Sequence, residues 1–406
     1  MRSRKELTEA TAGRYRSSSR TKKGQILGEF CESTHYNRAY AAMLLRAFRR
    51  HQGLPQGIEP VRLHPTKRRR RGGGRPRLYD EQVRRVLENI WQRFGCICGK
   101  RLAPVIRRSL TAIRRDRFLH PSAKVCCALT GISPATIDRL LRPTREKMRV
   151  KGLCHTHPST ALMQLIPVRT FGEFSQVAPG HCQLDCVGHD GGIASGEYAF
   201  SVVISDVCTA WTERRAVQNR AARWIQPALE DIRLAVPFAV QHLHPDSGAE
   251  FINKNILRYC TDHQITLTRS RPGKKNDNCW VEQKNFDTVR KLVGYARYSS
   301  PQALEALNEL YRVQGVLQNY ILPSQKLLQK TRVGSRVRKL YQKPLTPAER
   351  VLLHPQVPLK VKARIRRVRA ALDPLALADQ VIALQKRLLK LADNLSPVQL
   401  KEAAVL

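Results

Sequence analysis

The stretch HCQLDCV at residues 181–187 predicts a β-strand that carries one carboxylate, Asp185, among mostly apolar residues. Two further runs, YAFSVVISDV at residues 198–207 and WTERRAV at residues 211–217, predict the next two strands. Only short or glycine-rich segments separate the three, which favours a meander. A carboxylate inside an apolar strand is costly unless something positive compensates it. Asp185 is therefore a candidate for a chemical role.

Helices and strands alternate after this meander. Three strands followed by such an alternation predict a mixed sheet flanked by helices, an α/β core whose order is that of an RNase H-like fold. The predicted helices are residues 219–235, 250–263 and 277–294, and the predicted strands are residues 238–244 and 265–270.

Two more acidic residues stand at informative places in this order. Asp246 follows the fourth strand in HPDSGAEF, and Glu282 lies on the last helix in KKNDNCWVEQKN, with 35 residues between them. That spacing alone is weak evidence in a chain with 32 acidic residues. The fold order, however, brings Asp185, Asp246 and Glu282 to one end of the sheet. Three such carboxylates repel unless divalent cations neutralise them, and oxygen ligands select Mg²⁺ or Mn²⁺.

Other metal-binding or acidic groups are weaker candidates. His242 and His244 alternate with Asp246, so the three could share a sheet face and bind zinc, although two such histidines also suit a partly buried strand. Asp190 and Asp206 are further acids near the site, and Asp206 also suits a structural role. The 11 cysteines are scattered without a CxxC pair, which favours free thiols.

The charge of the chain is unevenly distributed. The 406 residues carry a formal charge of +40, yet residues 181–298 hold 15 basic and 13 acidic side chains, whereas residues 1–180 hold 38 and 12 and residues 299–406 hold 19 and 7. Basic flanks around a near-neutral centre predict that the flanks bind a polyanion, for which nucleic acid is the leading candidate. The absence of a long apolar run disfavours membrane spanning, a membrane partner and secretion.

The amino-terminal region has the pattern of a helix-turn-helix unit. Residues 22–33 and 37–50 predict two helices joined by Thr34 to Tyr36. In that motif the second helix enters the major groove of DNA, which would present Asn37 and Arg38 to the bases. The alternative is an ordinary helical hairpin with a solvated basic face.

A second candidate unit lies at residues 122–148. Ser133 before Pro134 predicts a helix start, because serine caps free backbone amides and proline suits the first helical position. The alternative is a purely structural three-helix bundle. On the DNA-binding interpretation, the polar face of this helix presents Thr136, Arg139 and Arg142.

Between the two units, residues 63–78 lack apolar periodicity and contain three successive glycines. Such a segment predicts a linker whose arginines either enter a minor groove or contact phosphates without sequence preference. These arginines are Arg68, Arg69, Arg70, Arg71, Arg75 and Arg77.

The carboxyl-terminal third is basic and ends in an amphipathic pattern. KTRVGSRVRKLY, at residues 330–341, suggests one or two strands that contact DNA, with a solvated extension as the alternative. Near the end, apolar residues recur at spacings of 4 and 3, the pattern of a coiled-coil seam or of a helix packed on its own protein. They are Leu377, Val381, Leu384, Leu388, Leu391 and Leu395.

These observations predict a multidomain chain with α-helical DNA-binding units before the α/β core and a basic region after it. The predicted parts are a helix-turn-helix unit (1–62), an Arg/Gly-rich linker (63–78), a second helix-turn-helix unit (79–150), a linker (151–175), the catalytic core (176–298), a basic DNA-contacting region (299–370) and a self-associating amphipathic helix (371–406).

The motifs QLDCVGHDGG, HPDSGAEF and KKNDNCWVEQKN resemble those of the transposases of bacterial insertion sequences, relatives of retroviral integrases and of phage Mu transposase. The resemblance covers nearly the whole chain. It implies Asp185, Asp246 and Glu282 as catalytic metal ligands, and Asn278 matches an Asn common before that Glu. Many relatives have Lys or Arg seven residues after the Glu, where this chain has Val289. The residues then expected at the DNA are Lys274, Lys275, Asn278, Arg290 and Lys291.

The resemblance implies an Mg²⁺-dependent polynucleotidyl transferase with two metal ions in each active site, Mn²⁺ being an alternative. Water would nick the ends of the element, and the freed 3′-OH would attack target DNA. A homo-oligomer on DNA and a bacterial cytoplasmic, nucleoid-associated location are expected. Two alternatives remain open: a DNA-binding regulator without enzymatic activity, and an RNase H-like nuclease without strand transfer.

Overall fold

The chain divides into two compact units, residues 1–77 and residues 78–406. Each unit has its own hydrophobic core. The computed structural model describes residues 2–47, 78–147, 178–246, 248, 250–270, 281, 284–333 and 336–393.

The described residues of the first unit, 2–47, form three helices: α1 (Arg2–Ser17), α2 (Arg20–Thr34) and α3 (Arg38–Ala47). The two predicted helices correspond to α2 and α3, and α1 is an addition that packs on both. The helices close on a small core that includes Ala12, Phe30 and Leu45. His35 ends α2 in the left-handed conformation, with its N–H donating to the Cys31 carbonyl.

A five-stranded mixed sheet forms the centre of the second unit. Its order is β3-β2-β1-β4-β5, with β2 antiparallel to β1 and β3, and with β4 parallel to β1 and β5. This is the mixed sheet that the sequence predicts. The strands are β1 (His181–Gly188), β2 (Phe200–Asp206), β3 (Thr212–Val217), β4 (His242–Pro245) and β5 (Thr266–Leu267).

Both faces of the sheet are buried because its side chains alternate between two cores. Val202 and Ile204 of β2 pack with α9 (Ala222–Ala235) and α10 (Lys254–Asp262), whereas Val203 between them packs with the opposite layer of helices. The predicted strands at 238–244 and 265–270 are shorter than expected. The first is reduced to its carboxyl end, where His242–Pro245 pair with β1, and the second is reduced to Thr266–Leu267, which pair with β4.

The opposite layer includes helical elements that follow the sheet in sequence. A π-helical turn, Phe286–Arg290, leads into α11 (Lys291–Val293). The long helix α12 (Pro301–Val316) also ends in a π-helical turn, Leu317–Ile321.

Within the described part of the second unit, five helices precede the sheet, and they share its larger core. Val83, Leu102 and Leu141 belong to the same buried cluster as residues of α12 and of the carboxyl-terminal helix. The Ser133 side chain accepts the Thr136 N–H at 3.1 Å, as expected of a helix-capping serine. The helices are α4 (Glu81–Arg93), α5 (Gly99–Arg108), α6 (Leu110–Arg115), α7 (Ala123–Gly131) and α8 (Pro134–Lys147).

The carboxyl-terminal region forms a two-stranded ribbon and three helices. The ribbon lies within the basic segment in which strands are predicted. Its strands are β6 (Leu327–Val333) and β7 (Arg336–Tyr341), and the helices are α13 (Pro347–Leu353), α14 (Leu359–Ala371) and α15 (Pro374–Leu389).

The apolar seam near the end of the chain packs on its own protein. Val381 and Leu388 of α15 are buried in the larger core, and Leu377, Leu384 and Leu391 are partly buried against it. Arg93 Nε of α4 lies 3.3 Å from Asp379 Oδ1 of α15. Of the two alternatives for the seam, the packed helix is therefore the one observed for these residues, and Leu395 lies outside the described part.

Within the residues that the structure describes, no helix is both long and apolar enough to cross a membrane.

Candidate active site

Strand pairing brings Asp185 and Asp246 together. In the parallel pair of β1 and β4, Leu184 lies opposite Pro245. Asp185 and Asp246 are the next residues along these two segments. Neighbouring strands are about 4.8 Å apart. The two predicted carboxylates therefore lie side by side where β4 ends.

The pKa of the Cys186 thiol responds to the charges at this end of the sheet. Burial raises its pKa well above the usual value, and the negative charges of Glu250, Asp185 and Asp246 raise it further. Because a Coulombic effect of this kind needs proximity, Glu250 belongs to the same acidic neighbourhood as the two predicted residues.

Asp246 and Glu250 are held by local contacts. The Gly248 N–H donates to Asp246 Oδ1 at 3.0 Å, and Arg220 Nη1 lies 4.0 Å from Glu250 Oε1. Burial raises the pKa of both carboxyl groups, the charge of Asp246 also raises that of Glu250, and Arg220 opposes the increase in each. This end of the sheet therefore concentrates negative charge in a poorly hydrated place.

Val281 and Asn285 each bond to β1. The Val281 N–H donates to the buried Gln183 side chain at 3.2 Å, and Asn285 Nδ2 donates to Asp185 Oδ2. Asn285 Oδ1 is buried and has no hydrogen-bond partner among the residues that the structure describes. The amide of Asn285 thus orients one oxygen of Asp185 and leaves its own oxygen available at the site.

Several predicted residues lie outside the described part of the chain: Glu282, Lys274, Lys275, Asn278, and the linker residues Arg68, Arg69, Arg70, Arg71, Arg75 and Arg77. Among the described residues, no three His, Cys, Asp or Glu side chains are arranged to hold a metal ion.

The residues after Glu282 explain why this chain lacks a cation seven positions later. Val289 is fully buried in the larger core, so a charged side chain would not fit there. Arg290 Nη2 donates to the Gly188 carbonyl at 3.0 Å, and its guanidinium lies over the ring of Tyr295. Lys291 Nζ lies 2.6 Å from Asp287. Both predicted DNA contacts thus have partners within the chain.

The predicted recognition residues Asn37 and Arg38 lie at the start of α3 and are exposed. Asn37 Oδ1 accepts the Tyr40 N–H at 2.8 Å, which makes Asn37 a helix cap, and Arg38 Nη2 donates to the Gly24 carbonyl at 3.2 Å. The capping bond occupies the side-chain oxygen of Asn37. A contact of Asn37 and Arg38 with DNA stays a prediction.

The predicted recognition residues of α8 are arranged along its outer face. Arg139 and Arg142 are exposed, and Thr136 is half-buried. The Thr136 hydroxyl lies 3.0 Å from Ser133 Oγ and 3.4 Å from Arg139 Nη2. The structure therefore brings the three residues onto one accessible face, and their contact with DNA stays a prediction.

The histidines considered for zinc serve the packing of the sheet. His242 and His244 are buried and share a hydrogen-bond ladder in which Thr268 Oγ1 lies 2.9 Å from His242 Nε2 and 2.7 Å from His244 Nδ1. Ser270 Oγ lies 3.2 Å from His244 Nε2. The ladder links β4 to the chain that follows β5.

The other two acids have local partners. Asp190 Oδ1 accepts the Gly192 N–H at 3.2 Å in the loop after β1. Asp206 lies opposite Cys182, three residues along β1 from Asp185, and accepts hydrogen bonds from Gly180 N–H and from Thr209. Asp206 therefore organises the turn between β2 and β3.

Sequence reasoning missed Asn285 and Glu250. Asn285 lies three residues after Glu282, a spacing that places two side chains on one helical face, so helical periodicity could have indicated it. Glu250 lies within the quoted motif HPDSGAEF, but its charge is near Asp246 only because of the turn at Gly248. That turn could not be derived from composition.

Comparison with solved structures finds catalytic core domains of two retroviral integrases. The core of HTLV-2 integrase, in complex with magnesium and in a dimeric form, is 14% identical, with a TM-score of 0.28 over 36% of this chain and 92% of that chain. The core of BIV integrase is 17% identical, with a TM-score of 0.28 over 42% of this chain and 93% of that one. These similarities are slight.

Comparison of sequences gives a much stronger match. No protein-family model matches the chain. A protein of Sinorhizobium fredii with the description "Uncharacterized protein y4rM" is 37% identical over 352 residues, which cover 86% of this chain and 95% of that protein. Identity at this level over nearly the full length of both proteins shows common descent. The chain therefore belongs to the same protein family as y4rM of Sinorhizobium fredii.

Proposed function

We propose that the protein is a DDE transposase of a bacterial insertion element, a metal-dependent polynucleotidyl transferase that cuts DNA at the ends of its element and joins them to target DNA. The observation that carries the proposal is the parallel register of β1 and β4, which sets Asp185 beside Asp246. Two acids 61 positions apart in sequence meet at the edge of a mixed sheet, next to a helical segment anchored on β1.

The donor set suits a hard divalent cation. The predicted ligands Asp185, Asp246 and Glu282 offer only carboxylate oxygens. The buried Asn285 Oδ1, which no described residue bonds, adds a neutral oxygen at the same place. Mg²⁺ or Mn²⁺ bound there would polarise the scissile phosphate and stabilise the departing 3′ oxygen.

The residues of the chain have distinct parts in this proposal. Asp185 and Asp246 would hold the divalent cation that orients the reacting phosphate. Asn285 holds Asp185 in one rotamer. Glu282 completes the carboxylate set from the segment that Val281 attaches to Gln183. The basic regions before and after the core bind the DNA duplexes on which this edge acts.

The experiment is strand transfer in vitro with the full chain. Purified protein is incubated with a labelled duplex that carries the sequences flanking its own gene, with a plasmid target and with Mg²⁺ or Mn²⁺. We expect nicked and joined products from the wild type and none from Asp185→Asn, which keeps the side-chain volume and removes the charge.

Three controls give the result its meaning. Asp231→Asn removes an exposed carboxylate of α9 by the same chemical change and should leave the products unchanged. Nicked products without joined ones would favour the nuclease, and tight binding of the ends without any cleavage would favour the regulator. Cleavage that survives in Asp185→Asn would refute the assignment of the site.

A further inference from the structure

Arg220 lies in the short link between β3 and α9, next to the carboxylates. The link begins after Val217, and Asn219 Oδ1 accepts the Ala221 N–H at 3.0 Å, so a local hydrogen bond holds the backbone around Arg220. The Arg220 side chain is 47% exposed. Its guanidinium is therefore accessible to a ligand as well as to the protein.

The guanidinium of Arg220 is oriented by an aromatic ring. It lies over Phe200, 5.1 Å from the ring centroid. Phe200 begins β2, pairs with Gly188 of β1 and packs in the core that β1 and β2 share with α9 and α10. Because a guanidinium is attracted to the face of an aromatic ring, this contact keeps the positive charge close to the end of β1.

Glu250 turns its carboxylate back over the turn that follows Asp246. The Gly248 N–H donates to Asp246 Oδ1 at 3.0 Å, and a Cβ atom at Gly248 would lie only 2.8 Å from the carboxylate of Glu250. The missing side chain of Gly248 thus lets both carboxyl groups share one turn. Carboxylates so close to each other repel unless a positive charge compensates them.

Arg220 supplies such a charge. Its Nη1 lies 4.0 Å from Glu250 Oε1, at the limit of an ion pair, and it makes no closer polar contact within the described part of the chain. The charge of Arg220 also opposes the effect of burial on the pKa of Asp246 and of Cys186, as expected of a cation near both. The pair is loose, so Arg220 can leave Glu250 without breaking a hydrogen bond.

A divalent cation and Arg220 would compete for the same negative charge. We call Asp185, Asp246 and Glu250 the acidic edge. A metal ion bound there would be repelled by Arg220, because charges within about 8 Å of each other are only partly screened at physiological salt. A DNA phosphate next to the acidic edge would relieve this repulsion, since a guanidinium pairs well with phosphate oxygens.

We propose that Arg220 is a built-in counter-cation of the acidic edge, and that it couples metal binding to DNA binding. Without DNA, its charge offsets Asp246 and Glu250 and weakens the binding of a divalent cation. When a duplex reaches the acidic edge, a phosphate pairs with Arg220, and the carboxylates then bind the metal more tightly. The inference rests on the proposed function for the nature of the substrate.

The test measures Mn²⁺ binding to the full chain without DNA by isothermal titration calorimetry. Arg220→Gln should bind Mn²⁺ about 5-fold or more tightly than the wild type, because ordinary coupling between two sites begins at about this size. Arg220→Lys keeps the charge and should bind Mn²⁺ as weakly as the wild type. Asp185→Asn should lose the binding, which assigns it to the acidic edge.

Arg223→Gln is the matched control. Arg223 is also exposed and lies over an aromatic ring, that of Trp224 at 5.6 Å, but among the described residues it has no carboxylate within ion-pair distance. Its variant has the same net charge as Arg220→Gln and should bind Mn²⁺ like the wild type. An equal gain in both variants, or no gain in Arg220→Gln, would overturn the proposal.

The titration is then repeated with a saturating 30-bp duplex of arbitrary sequence, and the heat of Mn²⁺ binding to the duplex alone is subtracted. The difference in Mn²⁺ affinity between the wild type and Arg220→Gln should shrink, because a phosphate now pairs with the guanidinium in the wild type. A difference that keeps its size would contradict the coupling to DNA.

Cleavage of the element ends is measured separately, so that the two conclusions can fail independently. If Arg220→Gln alone gains Mn²⁺ affinity and the duplex removes the difference, the inference stands even if no protein cuts DNA, and only the proposed function fails. If the wild type cuts DNA and Arg220→Gln has wild-type affinity for Mn²⁺, the proposed function stands and the inference fails.

Discussion

At the scale of single residues, Asn285 is the most informative position at the site. Its amide donates to Asp185, and its oxygen is buried without a partner in the described part of the chain. A buried polar atom without a hydrogen bond is costly, so such atoms persist where a ligand or ion supplies the missing contact. The local arrangement therefore makes sense when a cation or a hydrated phosphate occupies the edge of the sheet.

Asn285→Ala should reduce metal-dependent cleavage by about 10- to 100-fold and raise the Mg²⁺ concentration needed for half-maximal activity. The reason is that groups which orient a metal ligand contribute this much to metal affinity or rate. The measurement is a Mg²⁺ titration of the initial cleavage rate.

Asn308→Ala is the control for that experiment. Asn308 is likewise a hydrogen-bonded amide: its side chain makes two hydrogen bonds to the backbone of Ala216 and one to the Leu304 carbonyl, so it pins α12 to β3, away from the carboxylates. We expect it to lower stability and leave the Mg²⁺ requirement unchanged. A wild-type titration for Asn285→Ala would show that Asp185 needs no positioning by the amide.

The acids can be predicted from sequence to a limited depth. Asp185 stands out because it interrupts an apolar strand, and its pairing with Asp246 follows from strand order. The roles of Asn285 and Arg220 depend on where a helix and a loop approach the sheet, and residue types alone do not encode that distance. The burial of Val289 likewise depends on packing between layers.

At the scale of elements, two buried titratable groups lie at the ends of β1 and β2, and their protonation changes the stability of the fold in opposite directions. Burial raises the pKa of Asp206 to about 6 and lowers the pKa of His189 to about 3. His189 is also bonded to Ser201 of β2 at 2.7 Å, and Ser201 to Tyr311 of α12 at 2.6 Å. Both groups therefore link pH to the stability of the sheet.

The two effects should nearly cancel between pH 6 and pH 4. Folded Asp206 takes up a proton that the unfolded chain does not, which stabilises the fold as pH falls through about 6. His189 stays neutral in the folded protein, whereas in the unfolded chain it takes up a proton below about pH 6.5. This difference destabilises the fold over the same pH range. Each contributes about 1.4 kcal/mol per pH unit.

Variants at either residue should separate the two opposing contributions to the free energy of unfolding. In Asp206→Asn the free energy of unfolding should fall on acidification from pH 6 to pH 4, and in His189→Gln it should rise, in each case relative to the wild type. Urea unfolding at pH 6, 5 and 4 measures both. Parallel pH profiles for the three proteins would mean that neither group titrates as its burial indicates.

The elements themselves are largely predictable, with instructive exceptions. The meander of β1, β2 and β3 follows from alternating and β-branched residues, and its predicted order is correct. Helix α1 escapes prediction because its sequence, RSRKELTEATAGRYRS, is mostly polar and buries only a few residues such as Ala12 and Tyr15. Its helical state depends on packing against α2 and α3, which a local pattern does not contain.

At the scale of the whole molecule, the boundary at residue 77 differs in kind from any boundary near residue 150. The first unit has a core of its own, whereas α4 to α8 share a core with α12 and α15. The regions 79–150 and 371–406 are therefore physically connected parts of one folded unit, even if each also has a separate function.

Deletion of residues 1–77 should leave a folded protein, and deletion of residues 1–150 should not. The shorter deletion removes one complete core, while the longer one exposes the apolar partners of α4 to α8 in the remaining chain. Thermal unfolding by circular dichroism measures the difference. A cooperative transition at the midpoint of the parent for the 151–406 fragment would contradict the shared core.

Because the core is shared, the early helices cannot complete their packing until the end of the chain has been synthesised. Helix α15 begins 281 residues after α4 ends, and a ribosome needs about 15 to 60 s to make that much chain. During that interval the apolar faces of the early helices have no final partner and are exposed to chaperones and to other nascent chains. A frameshift or stop codon before residue 374 would therefore remove α15 and leave the helices synthesised first without part of the apolar surface against which they pack.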